Sequence, residues 1–399
     1  MTKDKHIVLG VTGSIAAYKA IDLASKLTQE GAKVDVVLTA SAQQLVTPMI
    51  FRSITRRPVT TSMFDTASEL TIGHITLAHR ADVVVIAPAT ANTMAKLACG
   101  IADDMLSCTV LATKAPIIVA PAMHTNMYEN PITQENVAKL KARGFVFVGP
   151  AYGRLAGGTY GPGRFAEVAD ILGTIRQVLG REGDLAGRRI VVSAGGTREP
   201  IDPVRVIGNR SSGKMGYAIA EAARDRGASV VLVSAPTALS APVGMEVVQV
   251  ETTVQMRDAV VDASAGADAL IMAAAPADFR PVATADSKIK RKDAKLTVEM
   301  LENPDILGDV KNNIIKVGFA AESDNLVQNA TEKLKRKNLD LMAANDITAT
   351  DSGFYVDTNK VVLIDRAGNV DDLPLMSKYE VGNRILDKVA ELLAPAQAT

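Results

Sequence analysis

At 399 residues, 47% hydrophobic and 22% charged, the chain is long enough for two cores and far from the composition of a disordered protein. Lys plus Arg equals Asp plus Glu at 44 each, so no global field draws it to nucleic acid or to a membrane, and small molecules or copies of itself are the expected partners. The start, Met1 to His6, carries no signal-peptide pattern and no stretch of about 18 apolar residues follows, which favours the cytoplasm, while two cysteines, Cys99 and Cys108, without metal-ligand spacing exclude a disulfide framework and a thiolate zinc site.

In chain order, His6–Gly10, Lys33–Leu38, Asp82–Ala87 and Ile117–Ala120 are β-branched runs that read as strands buried on both faces, the mark of a parallel sheet. Between the first two, Ala20, Leu23, Ala24 and Leu27 form a helical stripe and Gly31 stands at its C-cap, completing a βαβ unit. Near Val178–Gly187 the pattern breaks into glycine and charge, so the domain boundary is placed near 185, giving domains 1–184 and 185–399. A second unit then begins: a strand at Arg189–Ala194, a helix stripe at Met215, Ala218, Ile219 and Ala222 stopped by Gly227, and a strand at Ser229–Ser234. Phe354–Val356 and Val361–Ile364 read as a late edge hairpin, and a helix from about Lys378 to Leu393 closes the chain. The expected fold is therefore α/β, with two doubly wound, mostly parallel, Rossmann-like domains.

Open α/β sheets bind ligands outside the carboxyl ends of their strands. Three strand ends share a small-residue proline turn: Ala87-Pro-Ala-Thr90, Ala120-Pro-Ala-Met123 and Ala275-Pro-Ala-Asp278. A single such turn is as readily an ordinary tight connection; three, each followed by a polar or sulfur side chain, point to sites. In the first half, Gly10–Ile15 leaves a strand and opens a helix, where backbone N–H groups favour a phosphate. It lacks the GxGxxG spacing, and Thr39, Ser41, Thr90, Asn92 and Thr93 add polar groups on the same edge, so a mononucleotide fits better than a dinucleotide. His74 and His124, two of only four histidines, both fall near these turns, and His74 is expected on a loop over the sheet edge.

Gly13–Lys19, Gly73–Ile75, Pro88–Thr93 and Pro121–Met127 resemble the motifs of the homo-oligomeric flavin-containing cysteine decarboxylases. Gly195–Pro200 and Asn209–Gly216 resemble phosphopantothenate-cysteine ligase, and the two resemblances together span nearly the whole chain in the order of the bifunctional enzymes of coenzyme A biosynthesis. The first resemblance implies a flavodoxin-like flavoprotein domain with FMN held by Gly13, Ser14, Thr39, Ser41, Thr90, Asn92, Thr93 and Ala122, and substrate met by His124, Met127 and Arg164. It also implies decarboxylation of 4'-phosphopantothenoylcysteine, with His74 as the catalytic histidine. Oxidation of the thiol by the flavin supplies the electron sink that a thiol-bearing β-carbon lacks. Two departures stand out: His124 replaces the asparagine usual in the family motif, and Gly157 occupies the place of a flap cysteine that protonates the last intermediate. The flap's proton donor is left open.

In the second half, Gly208–Met215 matches the P-loop spacing but puts methionine where a magnesium-binding hydroxyl belongs, so a true P-loop is not expected. Lys288–Lys292 is a cationic run that reads either as a solvated loop or as a triphosphate clamp, to which Lys333 and Lys337, at i and i+4, would add. The ligase resemblance implies CTP with Mg2+ activating 4'-phosphopantothenate as an acyl-cytidylate that L-cysteine attacks. It assigns Asp278, Lys288, Asn303, Pro304, Asp305, Ile306, Phe319, Lys333 and Lys337 to the nucleotide, Lys288 to the first half-reaction and Asn209 to the intermediate. The metal ligands are not identified, and the resemblance also implies a homo-oligomer, with trimeric flavin domains and dimeric ligase domains. Two other readings remain: a flavin-binding regulatory subunit that has lost decarboxylase chemistry, motivated by Gly157, and a nicotinamide-dependent reductase, disfavoured by both glycine spacings.

Overall fold

The computed structural model describes residues 2–64, 73–290, 296–311, 313–322, 325–346 and 356–394. The chain divides into two compact units, Met1–Gly180 and Arg181–Thr399. Among the described residues no helix is long and apolar enough to cross a membrane.

The first unit runs β1 (His6–Val11), α1 (Lys19–Gln29), β2 (Lys33–Leu38), α2 (Pro48–Thr55), β3 (Val59–Thr60), α3 (Gly73–Arg80) and β4 (Val83–Ala89). It continues with α4 (Ala91–Cys99), α5 (Met105–Ala112), β5 (Ile117–Pro121), α6 (Thr125–Tyr128), α7 (Pro131–Ala142), β6 (Val146–Phe147), a hairpin of β7 (Ala151–Arg154) and β8 (Tyr160–Arg164), and α8 (Val168–Leu179). The six-stranded sheet has the order β3-β2-β1-β4-β5-β6, every pairing parallel. The stripe read from the sequence, Ala20, Leu23, Ala24 and Leu27, is wholly buried in α1 against Ile7, Leu9 and Val34 of one face. Gly31 ends that helix at φ 83°, a backbone that glycine adopts without strain. The other face holds Val8, Ile86 and Val119 under α4 and α5, whose starts are fixed by the side chains of Thr90 and Asp104 capping backbone N–H groups.

The second unit runs β9 (Arg189–Ala194), β10 (Arg198–Pro200), β11 (Val206–Gly208), α9 (Lys214–Asp225), β12 (Ser229–Ser234), β13 (Glu246–Gln249), α10 (Thr253–Ala263) and β14 (Ala269–Met272). Then come β15 (Phe279–Pro281), β16 (Met300–Glu302), α11 (Ile306–Asp309), β17 (Ile315–Glu322), α12 (Leu326–Arg336), β18 (Leu341–Asp346), β19 (Thr358–Asn359), β20 (Val361–Asp365), β21 (Val370–Asp372), β22 (Met376–Ser377) and α13 (Lys378–Leu393). Its sheet has the order β13-β12-β9-β14-β17-β18-β20-β21, parallel as far as β18 and antiparallel beyond. The parallel part repeats the order of the first unit, the third strand outermost and the first beside the fourth. Both units are therefore doubly wound α/β, and in both the strand order reverses at one pair: β1 beside β4, and β9 beside β14. That reversal opens the crevice in which such sheets bind ligands.

Three local expectations change. His74 lies in the first turn of α3 rather than on a loop, because α3 packs on α5 and extends back to Gly73, whose added methyl would sit 3.3 Å from Met105 Cε. On α9 the buried stripe is rotated: Ile219 and Ala222 are buried with Tyr217, Ala220 and Ala223, while Met215 and Ala218 are half-buried, because α13 packs along α9 as well as the sheet. Of the late hairpin, Phe354 and Tyr355 lie outside the described residues, and the strand at Val361–Asp365 instead pairs with β18 and β21.

Candidate functional site

In the first unit, the loops after β1, β2, β4 and β5 are stitched together at the carboxyl edge of the sheet. Thr12, 1% exposed, is the central stitch: its hydroxyl donates to the Pro88 carbonyl (2.7 Å) and accepts from the Thr90 N–H (3.0 Å), joining the β1 loop to the β4 loop at the strand-order reversal. Thr39 N–H donates to the Val11 carbonyl (3.1 Å) and the Thr39 hydroxyl accepts from Ala42 N–H (3.3 Å), tying in the β2 loop. Ala122 N–H donates to the Ala89 carbonyl (3.0 Å), tying in the β5 loop. Gly13 is required where it stands, since a methyl there would lie 2.4 Å from Ser41 Cβ. The side chains of Ser14 and Thr90 cap the two helical segments that open toward this edge, with Thr93 bonded to Thr90 through both hydroxyl and N–H. Asn92 and Ser41 are exposed, Ala122 is buried.

His124 caps α6: its Nδ1 accepts from Asn126 N–H at 3.2 Å, which fixes the ring proton on Nε2, 3.4 Å from the Thr159 hydroxyl of the β7–β8 hairpin. An asparagine would divide the same two tasks between its carbonyl and its NH2, which explains how imidazole replaces it. The hairpin is pressed onto that turn, for a methyl on Gly161 would strike Thr125 Oγ1 at 2.4 Å and one on Gly163 the Met123 carbonyl at 2.3 Å. At its tip Gly157 has open space around it. Arg164 at the hairpin's end is paired with Glu167 (2.6 Å), and Met127 is half exposed. Thr12 was missed by sequence reasoning; its signal was a hydroxyl at a strand's carboxyl end.

In the second unit a cavity of about 480 Å³ opens at the β9–β14 reversal, lined by Asn209 to Met215, Ala273 to Pro276, Asp278, Phe319, Ala320, Lys333, Asn345, Asn359 and Lys378. Ala275 pairs with Gly196 in an isolated parallel bridge, and Asn209 Nδ2 donates to the Pro276 carbonyl (2.8 Å), drawing three loops together. Gly196 allows that approach: a methyl there would sit 2.5 Å from the Asn209 carbonyl. Gly213, at φ 75°, caps α9 with no side-chain acceptor, so the first N–H groups of a 12-residue helix start at the cavity wall.

The expected nucleotide residues separate into groups. Asp278, Phe319, Lys333 and Asn209 line the cavity, Lys333 donating to the Phe319 carbonyl at 2.9 Å. Asn303 and Pro304 border a shallower depression with Arg280, and Asn303 is bound to Asp278 and Ala277 backbone carbonyls (2.8 and 2.9 Å). Lys337 is paired with Asp305 (2.6 Å); burial works to raise that carboxyl's pKa, but the Lys337 ammonium and the Gly308 N–H outweigh it and hold the carboxyl below the ordinary range. Ile306 is 4% exposed and belongs to the core with Val310 and Leu270. Lys288 is exposed and is not a wall of the cavity. Its neighbour Ile289 is tied to the turn between β10 and β11, through its N–H to Asp202 and its carbonyl to Arg205. Five donors from Val204, Arg205 and Ile289, with the Arg205 guanidinium foremost, keep the Asp202 carboxyl far below the usual carboxylate range. Lys214, Asn345, Asn359 and Lys378 were not singled out; Lys214 had a signal as the lysine of the P-loop-like run and Asn345 as a strand end, the other two had none. Among the described residues no three His, Cys, Asp or Glu side chains gather as a metal site.

Two family models cover the chain: Flavoprotein matches residues 1–180, and DNA/pantothenate metabolism flavoprotein C-terminal domain matches 185–393. Proteins named Coenzyme A biosynthesis bifunctional protein CoaBC align nearly end to end. That of Bacillus subtilis (strain 168) is 43% identical over 398 residues, 98% of each chain. That of Vibrio cholerae is 42% identical over 393 residues, covering 97% of this chain and 98% of its own, and that of Mycobacterium tuberculosis is 43% identical over 409 residues, covering 98% and 97%. With two matched halves in one order and relatives of this likeness over their whole length, the chain belongs to the CoaBC family of bifunctional coenzyme A biosynthesis proteins.

Proposed function

We propose that the chain performs two consecutive steps of coenzyme A biosynthesis as a phosphopantothenate-cysteine ligase and a phosphopantothenoylcysteine decarboxylase. Residues 185–399 join L-cysteine to 4'-phosphopantothenate with CTP and Mg2+, and residues 1–184 then decarboxylate 4'-phosphopantothenoylcysteine to 4'-phosphopantetheine. The observation that carries this reading is the pair of crevices at equivalent strand-order reversals, one cradled by Gly13, Thr12 and Thr90, the other a polar cavity beside Asn209 and Asp278.

The residues of the first crevice fit FMN. Gly13 lets the β1 loop lie against Ser41, where any side chain would collide, so the two loops form one edge, and Ser14, Thr39, Ser41, Thr90, Asn92 and Thr93 offer hydroxyl and amide groups to the polar edges of FMN. When bound, FMN supplies the two-electron oxidation of the substrate thiol that makes loss of CO₂ feasible. His74, half-buried in the first turn of α3, positions the substrate carboxylate or moves a proton, and His124 Nε2–H presents a donor beside the flap. The hairpin tip at Gly157 carries no acid, so the proton for the last step comes from elsewhere.

In the second crevice, Asp278 and Phe319 hold the nucleoside end of CTP, Lys333 its charge, and Asn209 orients the acyl group. Mg2+ enters with the triphosphate. Lys288, exposed and outside the cavity wall, is the cation assigned to the triphosphate from its place in the cationic run. Exposed Ile15, Tyr18, Met49 and Ile50 on the segments after β1 and β2 supply apolar surface for self-association of the flavin unit.

The test is direct. Purified protein given 4'-phosphopantothenate, L-cysteine, CTP and Mg2+ releases pyrophosphate and then CO₂, and carries a flavin absorbance as isolated. Pyrophosphate without CO₂ would favour a flavin-binding unit that has lost its chemistry, and absence of both would refute the reading.

A further inference from the structure

Asn359 and Lys378 are two buried polar side chains on the cavity wall of the second unit that the reading above does not use. A short antiparallel ribbon sets them side by side: β19 pairs with β22, Asn359 opposite Met376, and Lys378 N–H donates to the Asp357 carbonyl at 3.0 Å. Asn359 is 4% exposed, and its Oδ1 has no hydrogen-bond partner. Its NH2 faces Met215 Sδ at 3.8 Å, a weak acceptor, and the carbonyl oxygen of this cavity-lining residue is left buried and unpaired. A buried amide oxygen needs a donor. Neither the triphosphate of a nucleotide nor an ionised carboxylate offers one, whereas an amine does.

We propose that Asn359 and Lys378 form the subsite for the amino group of the incoming amino acid, Asn359 accepting one N–H while Lys378 acts as the general base for its attack on the activated acyl group. This rests on the ligase reading of the same cavity. In the step, the amine nitrogen forms a bond to the acyl carbon, the bond from that carbon to the phosphate oxygen breaks with its electron pair leaving on the nucleoside monophosphate, and the amine proton passes to Lys378 Nζ. Lys378 is suited to the task. It is 5% exposed, and burial, with the nearby Lys214 ammonium adding to it, lowers its pKa to about 8, the Asp357 carboxylate opposing only in part. Lys214 from α9 is paired with Asp357 at 2.7 Å, and Lys378 Nζ also donates to the Val356 carbonyl, so the ammonium is steered from one side and its position fixed. A pKa lowered to about 8 leaves a larger share of this amine unprotonated than an ordinary lysine has, which lets it accept a proton.

The test uses the full chain with CTP, 4'-phosphopantothenate and Mg2+, and compares two nucleophiles: cysteine, whose amine must lose a proton, and hydroxylamine, already neutral at neutral pH. Lys378→Gln is expected to release pyrophosphate as the native protein does, to lose about a hundredfold or more in cysteine ligation, and to form hydroxamate within about threefold of native. Lys378→Arg, which keeps charge and bulk but does not deprotonate, should show the same nucleophile-specific loss if Lys378→Gln proves unstable. Asn359→Ala should raise the KM for cysteine and leave that for 4'-phosphopantothenate unchanged. Equal loss with both nucleophiles, unchanged cysteine ligation, or a KM effect confined to 4'-phosphopantothenate overturns the proposal. Native protein that releases no pyrophosphate fails the ligase reading itself.

Discussion

Gly13→Ala separates the role of the first crevice from mere folding. Its new methyl would lie 2.4 Å from Ser41 Cβ and 3.2 Å from the Ser41 carbonyl carbon, so the obstacle is partly backbone and cannot swing aside as a side-chain end would. Reaching ordinary contact at 3.4 Å requires the β1 and β2 loops to part by about 1 Å, against the Thr39 N–H to Val11 carbonyl bond that holds them together. Overpacking of this kind costs about 1–3 kcal/mol. If the loops part to relieve it, the flavin affinity drops by roughly five- to 150-fold, the equivalent of that energy. The assay is titration of apoprotein with FMN followed by absorbance, alongside thermal unfolding without flavin. Gly10→Ala is the control: its methyl meets Leu106 Cδ1 at 2.4 Å, deep in the core, and should lower the melting temperature while sparing FMN affinity. Gly13→Ala protein that binds FMN with native affinity would remove this turn from the site.

His124→Asn should keep both hydrogen bonds of the imidazole and retain decarboxylation, whereas His124→Ala loses the cap, worth about 1 kcal/mol, and the Thr159 contact; equal activities of the two variants would show that neither bond matters. His74→Asn should abolish CO₂ release and leave pyrophosphate release intact, and full retention of CO₂ release would exclude the residue from the reaction. Asp225→Ala should destabilise the second unit by about 3–5 kcal/mol in urea unfolding, because it removes the carboxylate paired with the 1%-exposed Arg224 guanidinium, leaving it the Val243 carbonyl, and an acceptor of the Tyr379 hydroxyl; a loss below about 1 kcal/mol would contradict that account.

What could be read from sequence was what periodicity and strand ends encode. The strands around Val8, Val36, Val85 and Val191 are buried on both faces, so their β-branched runs announced a parallel sheet, and the carboxyl-end rule led to Thr39, Thr90 and Asp278 before any contact was known. What could not be read was anything that depends on two distant segments meeting. Thr12 looks like one more polar residue in a turn until Pro88 and Thr90 close around its hydroxyl. Lys378 looks like an ordinary first residue of an amphipathic helix, and only the β19–β22 ribbon and the neighbouring α9 turn it into a buried cavity group. Lys288 is the opposite case, a cation in a suggestive run that the Asp202 turn holds on an exposed loop.

The two departures from the family motif take on physical sense together. His124 and the flap hairpin are linked through Thr159, and His124 can hold α6 only while its Nδ1 accepts the Asn126 N–H, which commits the ring to donating from Nε2. A ring so committed holds α6 and offers one hydrogen bond toward the flap, the task of the asparagine it replaces, and not that of the cysteine whose place Gly157 takes. Gly157 itself has no atom within 4 Å of an added methyl and no left-handed backbone requirement. Gly157→Cys should therefore fold with an unchanged melting temperature and place a thiol at the flap tip. If protonation limits turnover, the variant forms 4'-phosphopantetheine faster than the native protein. A native rate in the variant would instead mean that another group already delivers the proton faster than the slowest step, and the search for it would move to Tyr160, exposed beside the same tip.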